Sequence, residues 1–406
     1  MKSIYIYLSF VFIVSSGSLF SQANVVFDAS FDGCDAFDEV GSNMGLMSGN
    51  PDCVCGADDM GLFFDGVDDS LSFDSGIEEI LNNDFALSFY FFIQNNPGST
   101  QAVDLISYGS QCRRDSSLTI RYVPQTNNIR AEISINNSII FDLRAPLPES
   151  SCIQYVVLNK NDDRLELYID DQLVDEQPDF DRSFQFKPNA SFTIGSSPCN
   201  GSSTQLFRGI IDEVKFHDRP LLESEVIAEN ANPDKITTSD QTIFQGESIV
   251  LNTGQICSNF FSWSPTDDLT DEMTTSPTAS PDQTTNYNLT INYGTCVSQD
   301  NVRISVVDRE NSSCSDLLLP SAFTPNNDKR NDLFGISNAF IVDRLISFDI
   351  FSKWGENVFS TQNDPAISWD GNYKGKQMNP GTLLYTVKYE CGGEEFRKSG
   401  SFVLLR

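Results

Sequence analysis

The chain has 406 residues, enough for two to four domains that each bury a core. Its 57 acidic and 26 basic residues give a formal charge of −31, which repels nucleic acid and anionic lipid and argues against either as a partner. A single histidine, His217, excludes a His-rich zinc site, and its setting Val214-Lys215-Phe216-His217-Asp218-Arg219-Pro220 reads as a strand end running into a solvated turn.

Residues 1–23 carry Lys2, an apolar run from Ile4 to Val14 and the small or polar end Ser21-Gln22-Ala23. This pattern predicts a secretory signal peptide cut after Ala23, with an apolar core too short to span a membrane. The mature chain is therefore expected outside the cell, with no transmembrane segment. Ten cysteines in an exported chain read as disulfides before metal ligands. Cys34, Cys53, Cys55, Cys112, Cys152 and Cys199 fall in the first region, Cys257 and Cys296 in the second, Cys314 and Cys391 in the third. The even count in each region predicts pairing within it: Cys257 with Cys296 and Cys314 with Cys391, the connectivity of the first six staying open.

From 24 to about 231, short alternating runs recur between Gly, Asn and Asp clusters, the mark of an antiparallel sandwich. Leu62 to Phe73 reads as a hairpin around an acidic, Gly-containing turn. Phe85 to Ile93 is apolar on both faces, as a central strand is. Leu165, Leu167 and Ile169 point inward from a strand that turns at Asp170-Asp171. In Gly209 to Phe216, period two places Ile210, Val214 and Phe216 on one face with Asp212 between them. A carboxylate there needs either turn amides or a bound cation, and amides are the commoner partner.

Phe64-Asp65-Gly66-Val67-Asp68-Asp69, the Leu167–Val174 hairpin, Phe192-Thr193-Ile194-Gly195 and Gly209 to Phe216 followed by Pro220 to Val226 together resemble a laminin-G-like, concanavalin A-like jelly-roll domain. The resemblance implies binding of sugars, proteins or calcium, and some relatives are glycosidases. It also implies a structural calcium near Asp28, Asp32, Asp35 and Asp38, with Asp212. A jelly-roll glycosidase carries its two acids as a ladder on one strand. Glu166, Tyr168 and Asp170 come nearest, and the tyrosine interrupts them, so no enzyme is expected. Tyr108, Tyr122 and Tyr155 either stack on sugar rings or fill the core, the commoner fate.

Asn230 to Asp234 is a polar break that predicts a domain boundary. Residues 232–309 are short-stranded and rich in Ser, Thr and Pro, and resemble the Ig-like or PKD-like modules that precede sorting domains. That resemblance implies a spacer, and a length of about 75 residues suits a sandwich of about seven strands. Trp263 is expected in its core.

Residues 310–406 carry Leu319 to Asn326, Phe348 to Phe359, Trp369-Asp370-Gly371 and Pro380-Gly381-Thr382. Ile346, Phe348 and Ile350 alternate onto one face, and Leu383, Tyr385, Val387 and Tyr389 onto another. The order resembles the gliding-motility-type (type B) C-terminal sorting domain of the Bacteroidetes type IX secretion system. Its signature is kept at Trp354, Gly355, Trp369, Asp370, Gly371, Pro380, Gly381 and Arg406. It departs at Asn327 to Asp332 and at Ser352-Lys353, where the family shows an Asp-Gly pair and Asn-Arg. The resemblance implies the type IX machinery as partner and the cell surface or medium as destination.

The expectation is thus an all-β protein: an N-terminal jelly-roll sandwich followed by two smaller Ig-like β-sandwich domains. Its head would bind a glycan or protein ligand as an adhesin. The alternatives are an extracellular glycan hydrolase or accessory module, and a structural surface component.

Overall fold

The computed structural model describes residues 23–73, 76–94, 100–110, 116–161, 164–178, 185–188, 190–197, 206–308, 313–326 and 331–405. The predicted signal peptide up to residue 22, Cys112, Cys199 and Arg406 lie outside them. Among the described residues, 29 strands stand against two short α-helices, so the class is all-β.

Two antiparallel sheets build the head. One runs, strand beside strand, Gln172–Pro178, Arg164–Ile169, Ile153–Asn161, Phe85–Ile93, Arg208–His217, Met60–Asp65 and Asp52–Cys55, with Val25–Ala29 also paired to Arg208–His217. The other runs Ser138–Pro146, Asn128–Ile135, Ser116–Val123, Val103–Gly109, Ser191–Ile194, Ser70–Phe73 and Leu46–Ser48. Alternation turns one face of each sheet inward. Leu165, Leu167, Ile169, Phe89 and Phe91 from the first meet Leu118, Ile120, Ile129, Ala131 and Leu143 from the second in one core. Phe27 meets Phe73 at 4.9 Å and Phe192 meets Phe216 at 5.2 Å, edge to face, worth about 1 kcal/mol per pair beyond burial. Phe85–Ile93 is central, as expected, because its outer face is covered too: Tyr90 and Phe92 pack with Tyr155, Leu221, Val226 and Tyr293.

Leu62 to Phe73 is not a hairpin. Met60–Asp65 and Ser70–Phe73 lie in different sheets, and the chain crosses between them at 66–69. Leu62, Phe64, Leu71 and Phe73 all reach the core, which either connection would allow. The bend is set by Asp69, whose Oδ2 accepts from Asp65 N and whose Oδ1 accepts from Asn50 N, both at 2.8 Å.

Strand Arg208–His217 differs from its expected phase. Glu213 has φ +53°, and the register on Phe85–Ile93 shifts between Asp212 and Lys215. This β-bulge resets the alternation. Ile211, Val214 and Phe216 therefore face the core, while Ile210 packs on the other side. The strand also continues through His217, paired with Val25, and His217 is fully buried rather than a solvated loop residue.

Residues 241–307 form seven strands. Gln241–Phe244, Val297–Val307, Thr285–Asn292 and Phe261–Ser264 make one sheet, and Ile249–Val250, Thr278–Ala279 and Leu269–Thr270 another. Trp263 is buried between them and donates from Nε1 to Thr274 O at 3.2 Å.

The cysteine pairing corrects the expectation. Cys257 and Cys296 are not bonded to each other: Cys55–Cys257 and Cys152–Cys296 both cross from the sandwich to the spacer. Cys34–Cys53 closes within the sandwich and Cys314–Cys391 within the last module. Two crossing bonds leave every regional count even, so parity could not reveal them. The joint around them is packed. Phe92 meets Tyr293 at 5.1 Å, Gln299 N donates to Ser150 O at 2.9 Å, and Gln255 Nε2 donates to Gly56 O at 3.1 Å. Asp234, within the predicted polar break, is buried and accepts from Tyr293 OH at 2.7 Å and Ser298 Oγ at 2.9 Å.

The last module is a five-stranded sheet, Ala322–Phe323, Glu394–Leu404, Gly381–Cys391, Arg344–Phe351 and Asn357–Asn363, with a ribbon of Asn372–Tyr373 and Lys376–Gln377. Leu383, Tyr385, Val387 and Tyr389 line its core as predicted. On Arg344–Phe351 a register shift between Leu345 and Ser347 puts Leu345, not Ile346, in that core beside Phe348 and Ile350.

Candidate functional site

The seven-stranded sheet of the head turns a polar face away from the core. Its strands alternate Ile129-Arg130-Ala131-Glu132-Ile133 and Phe141-Asp142-Leu143-Arg144-Ala145, apolar inward and charged outward. Strand pairing sets Arg121 opposite Arg130, Arg130 opposite Arg144, and Glu132 opposite Asp142. Directly opposed like charges are unfavourable on a sheet. Neighbouring acids compensate them. Arg121 Nε meets Asp104 Oδ1 at 2.9 Å and its Nη1 meets Glu132 Oε2 at 3.2 Å. Arg130 reaches Glu132 Oε1 at 3.1 Å and grips Asp142 with Nε and Nη2 at 2.6 and 2.9 Å. Arg144 Nη2 adds a bond to Asp142 Oδ2 at 2.7 Å, and Ser197 Oγ donates to Asp104 Oδ2 at 2.6 Å. The result is a checkerboard of fixed donors and acceptors over four strands.

Its electrostatics suit recognition better than proton transfer. The Arg130 guanidinium holds the Asp142 carboxyl far below the usual carboxylate range, with Arg144 adding to the effect. A glycosidase acid needs the opposite shift. Carboxyls pushed up by burial lie elsewhere: Asp212, to about 8, and Asp28, Asp170, Glu213 and Asp234. Asp212 is occupied, Oδ2 accepting from Ala57 N at 2.7 Å and Asp58 N at 3.2 Å, and Oδ1 from Glu213 N at 2.9 Å. Asp170 stands in the turn beyond Arg164–Ile169 and accepts from Tyr155 N at 3.1 Å, so it forms no ladder with Glu166. Tyr108, Tyr122 and Tyr155 are buried, Tyr108 OH donating to Lys187 O at 2.7 Å and Tyr155 stacking on Tyr90 at 4.6 Å.

Asp28, Asp32, Asp35, Asp38 and Asp212 do not converge on one point. Asp38 Oδ1 collects the amides of Asp28, Val40 and Gly41 at 3.0–3.1 Å, Asp35 takes Phe37 N, and Asp32 takes Met60 N. Asp32, Asp35, Asp38 and Asp212 each hold backbone amides of their own, and Asp28 Oδ1 is buried with no hydrogen-bond partner among the described residues. Among the described residues, the group of three acids whose oxygens all lie within 4.8 Å of one another is Asp65, Asp68 and Asp69, at the crossing between sheets. This all-oxygen set can hold a hard metal ion.

A second polar site lies on the outer face of the other sheet. A cavity of about 260 Å³ is lined by Tyr90, Tyr155, Glu213, Lys215, His217 and Glu229. His217 Nε2 stands 3.1 Å from Glu229 Oε2, and Lys215 bonds Glu213.

In the last module Trp369 is buried and donates from Nε1 to Asn372 O at 2.8 Å, and Asp370 accepts from Asn372 N at 2.9 Å across the Gly371 turn, φ +79°. Trp354 and Gly355 sit on an exposed hairpin, and Pro380-Gly381 opens strand Gly381–Cys391.

Residues 317–404 match the family model for the CHU_C type IX secretion signal domain, and residues 65–227 match that for the concanavalin A-like lectin/glucanases superfamily, Laminin_G_3. No curated protein matches the chain. Three solved structures are similar at low identity. Domain 4 of AbnA, a GH43 extracellular arabinanase from Geobacillus stearothermophilus, in complex with arabinotriose, is 18% identical with TM-score 0.42 over 52% of this chain and 100% of that one. Trypanosoma rangeli sialidase is 17% identical with TM-score 0.38 over 51% of this chain and 32% of that one. A botulinum neurotoxin type C structure is 11% identical with TM-score 0.44 over 93% of this chain and 92% of that one. Likeness at this level carries no functional argument.

Proposed function

We propose that this chain, which joins a concanavalin A-like domain to a type IX secretion signal domain, is an exported binding protein whose sandwich head takes a glycan or protein ligand at the cell surface or in the medium. The observation that carries the binding half is the checkerboard of Asp104, Arg121, Arg130, Glu132, Asp142 and Arg144. Like charges held in opposed register cost stability, and fixed forks of arginine and carboxylate are the donors and acceptors that hydroxyl-rich or charged ligands need. The export half rests on the secretion signal domain, together with an N-terminal signal peptide cut after Ala23.

The head is read as non-hydrolytic, since the acids of the polar face are ion-paired with arginines and, of the acids raised by burial, Asp170, Asp212, Glu213 and Asp234 are engaged by backbone or side-chain donors; Asp28 differs, its buried Oδ1 having no hydrogen-bond partner among the described residues. Calcium at Asp65, Asp68 and Asp69 is part of the same reading, in place of the aspartates first expected. The test is a glycan and matrix-protein array of the disulfide-bonded mature chain, with and without calcium. Binding to a discrete set supports the proposal. No binding to any glycan or protein, or turnover of labelled polysaccharide, overturns it.

A further inference from the structure

The signature residues of the last module fall into two groups. Trp369 and Gly371 serve the fold: Trp369 is 2% exposed and meets Phe323 at 5.6 Å, and a Cβ on Gly371 would press on Pro325 at 3.0 Å. Trp354 is 85% exposed, the most exposed large hydrophobic side chain among the described residues. It stands at the tip of the hairpin joining Arg344–Phe351 to Asn357–Asn363, and that tip is firmly built. Ser352 N donates to Glu356 O at 2.8 Å, Gly355 N donates to Ser352 O at 2.9 Å, and Ser352 Oγ accepts from Trp354 N and Glu356 N, both at 3.3 Å. Gly355 takes φ +82°, a conformation glycine adopts freely. An indole held in water on a fixed turn is partly preorganised for contact: tryptophan is among the residue types enriched at interface anchors, and the backbone share of the ordering cost is already met.

The charges around it give the tip a polarity. Lys353 Nζ lies 5.3 Å from the indole centroid, and the neighbouring ribbon brings exposed Lys374 and Lys376 against one acid of the tip: Glu356 Oε1 accepts from Tyr373 OH at 2.8 Å and lies 3.6 Å from Lys374 Nζ, which leaves the three lysines in excess. Residues 310–406 hold 12 acidic and 10 basic residues, net −2, whereas residues 1–309 hold 45 and 16, net −29. A carboxylate-rimmed receptor is repelled by the strongly acidic residues 1–309 and drawn to a tip that carries Lys353, Lys374 and Lys376, which favours end-on engagement.

We infer that the Trp354 tip is the surface by which the type IX secretion machinery reads this module, the indole entering an apolar pocket rimmed by carboxylates that face Lys353 and Lys374. The inference rests on the export reading above, and it names which surface of the module is read.

The experiment follows the full chain in a host with type IX secretion, comparing wild type, Trp354→Ala, Lys353→Glu with Lys374→Glu, and a deletion of residues 317–404, by fractionation and surface proteolysis. Trp354→Ala is expected to keep the wild-type melting temperature and to lower the exported fraction about tenfold or more, with the protein held in the periplasm. The charge reversal is expected to lower it as well, and keeps the test valid should Trp354→Ala fold poorly. Wild-type export of both variants, with the deletion retained, overturns the inference about the tip. Export of the deletion itself overturns the sorting reading instead.

Discussion

Cys55 and Cys257 are 202 residues apart in the chain and bonded, with Cα atoms 5.6 Å apart; Cys152 and Cys296 repeat the crossing over 144 residues. The spacer is therefore fastened to the head at two points. Bonds that close loops of this length constrain the unfolded chain by roughly 5 kcal/mol each in the chain-entropy account. The oxidised head and spacer are expected to melt as one cooperative unit. Reduction, or Cys55→Ser, Cys257→Ser, Cys152→Ser and Cys296→Ser together, is expected to lower the melting temperature of the spacer and separate its transition from that of the head. Calorimetry of oxidised and reduced protein checks this, and an unchanged single transition would contradict it.

Asp212 carries a pH dependence of definite sign. Burial outweighs the three amides and pushes its pKa up to about 8, against roughly 3.9 in an unfolded chain. Between these values the native state binds more protons than the unfolded state, so this group makes stability fall as pH rises from about 4 to about 8. Asp212→Asn gives up one accepted amide bond, about 1 kcal/mol, and flattens that slope. Urea midpoints across the window are the measurement; an equal slope in both proteins would count against the assignment.

Calcium binding at Asp65, Asp68 and Asp69 predicts that millimolar calcium raises the melting temperature of the wild-type protein. It is expected to do so less for Asp68→Asn, which leaves the Asp69 bonds to Asn50 N and Asp65 N in place. Equal shifts in the two proteins would remove the ion from this place.

Asn24 and Asp218 face each other through three bonds: Asn24 N to Asp218 Oδ1 at 3.0 Å, Asn24 Nδ2 to Oδ2 at 2.7 Å, and Asp218 N to Asn24 O at 3.0 Å. A cut after Ala23 makes that first nitrogen an ammonium already at ion-pair distance. The ammonium form is the one the Asp218 carboxylate holds, so the pair stabilises below the usual α-amino value of about 8 and is lost as the ammonium gives up its proton above it. Mass spectrometry of the exported protein is expected to find Asn24 first. Asp218→Asn is expected to lower its melting temperature at pH 7, with the gap closing toward pH 10. A different first residue, or no gap at pH 7, would refute this.

Alternation alone located the cores wherever a strand is unbroken. Leu165, Leu167 and Ile169, and Leu383 to Tyr389, face inward as their pattern predicts. It failed by one residue where a bulge intervenes, at Glu213 and after Leu345, because a bulge leaves no mark in hydrophobic order. It could not separate a hairpin from a crossing at 66–69, since both bury the same residues. The polar face was visible only as charges alternating with Ile129, Ala131 and Ile133. Its distinctive feature, like charges in opposed register, depends on strand pairing that local sequence does not carry.

On the proposed function, the polar face of the seven-stranded sheet binds the ligand. The most direct measurement is the affinity of the mature chain for its strongest array ligand, set beside that of Arg130→Lys with Arg144→Ala. The pair removes one exposed cation and replaces the other's fork by a point charge while leaving the core intact. The expected result is a loss of about tenfold or more in affinity for a protein that melts somewhat lower, because Glu132 and Asp142 lose guanidinium contacts, yet remains fully folded at the assay temperature. Undiminished affinity in the double variant would contradict it.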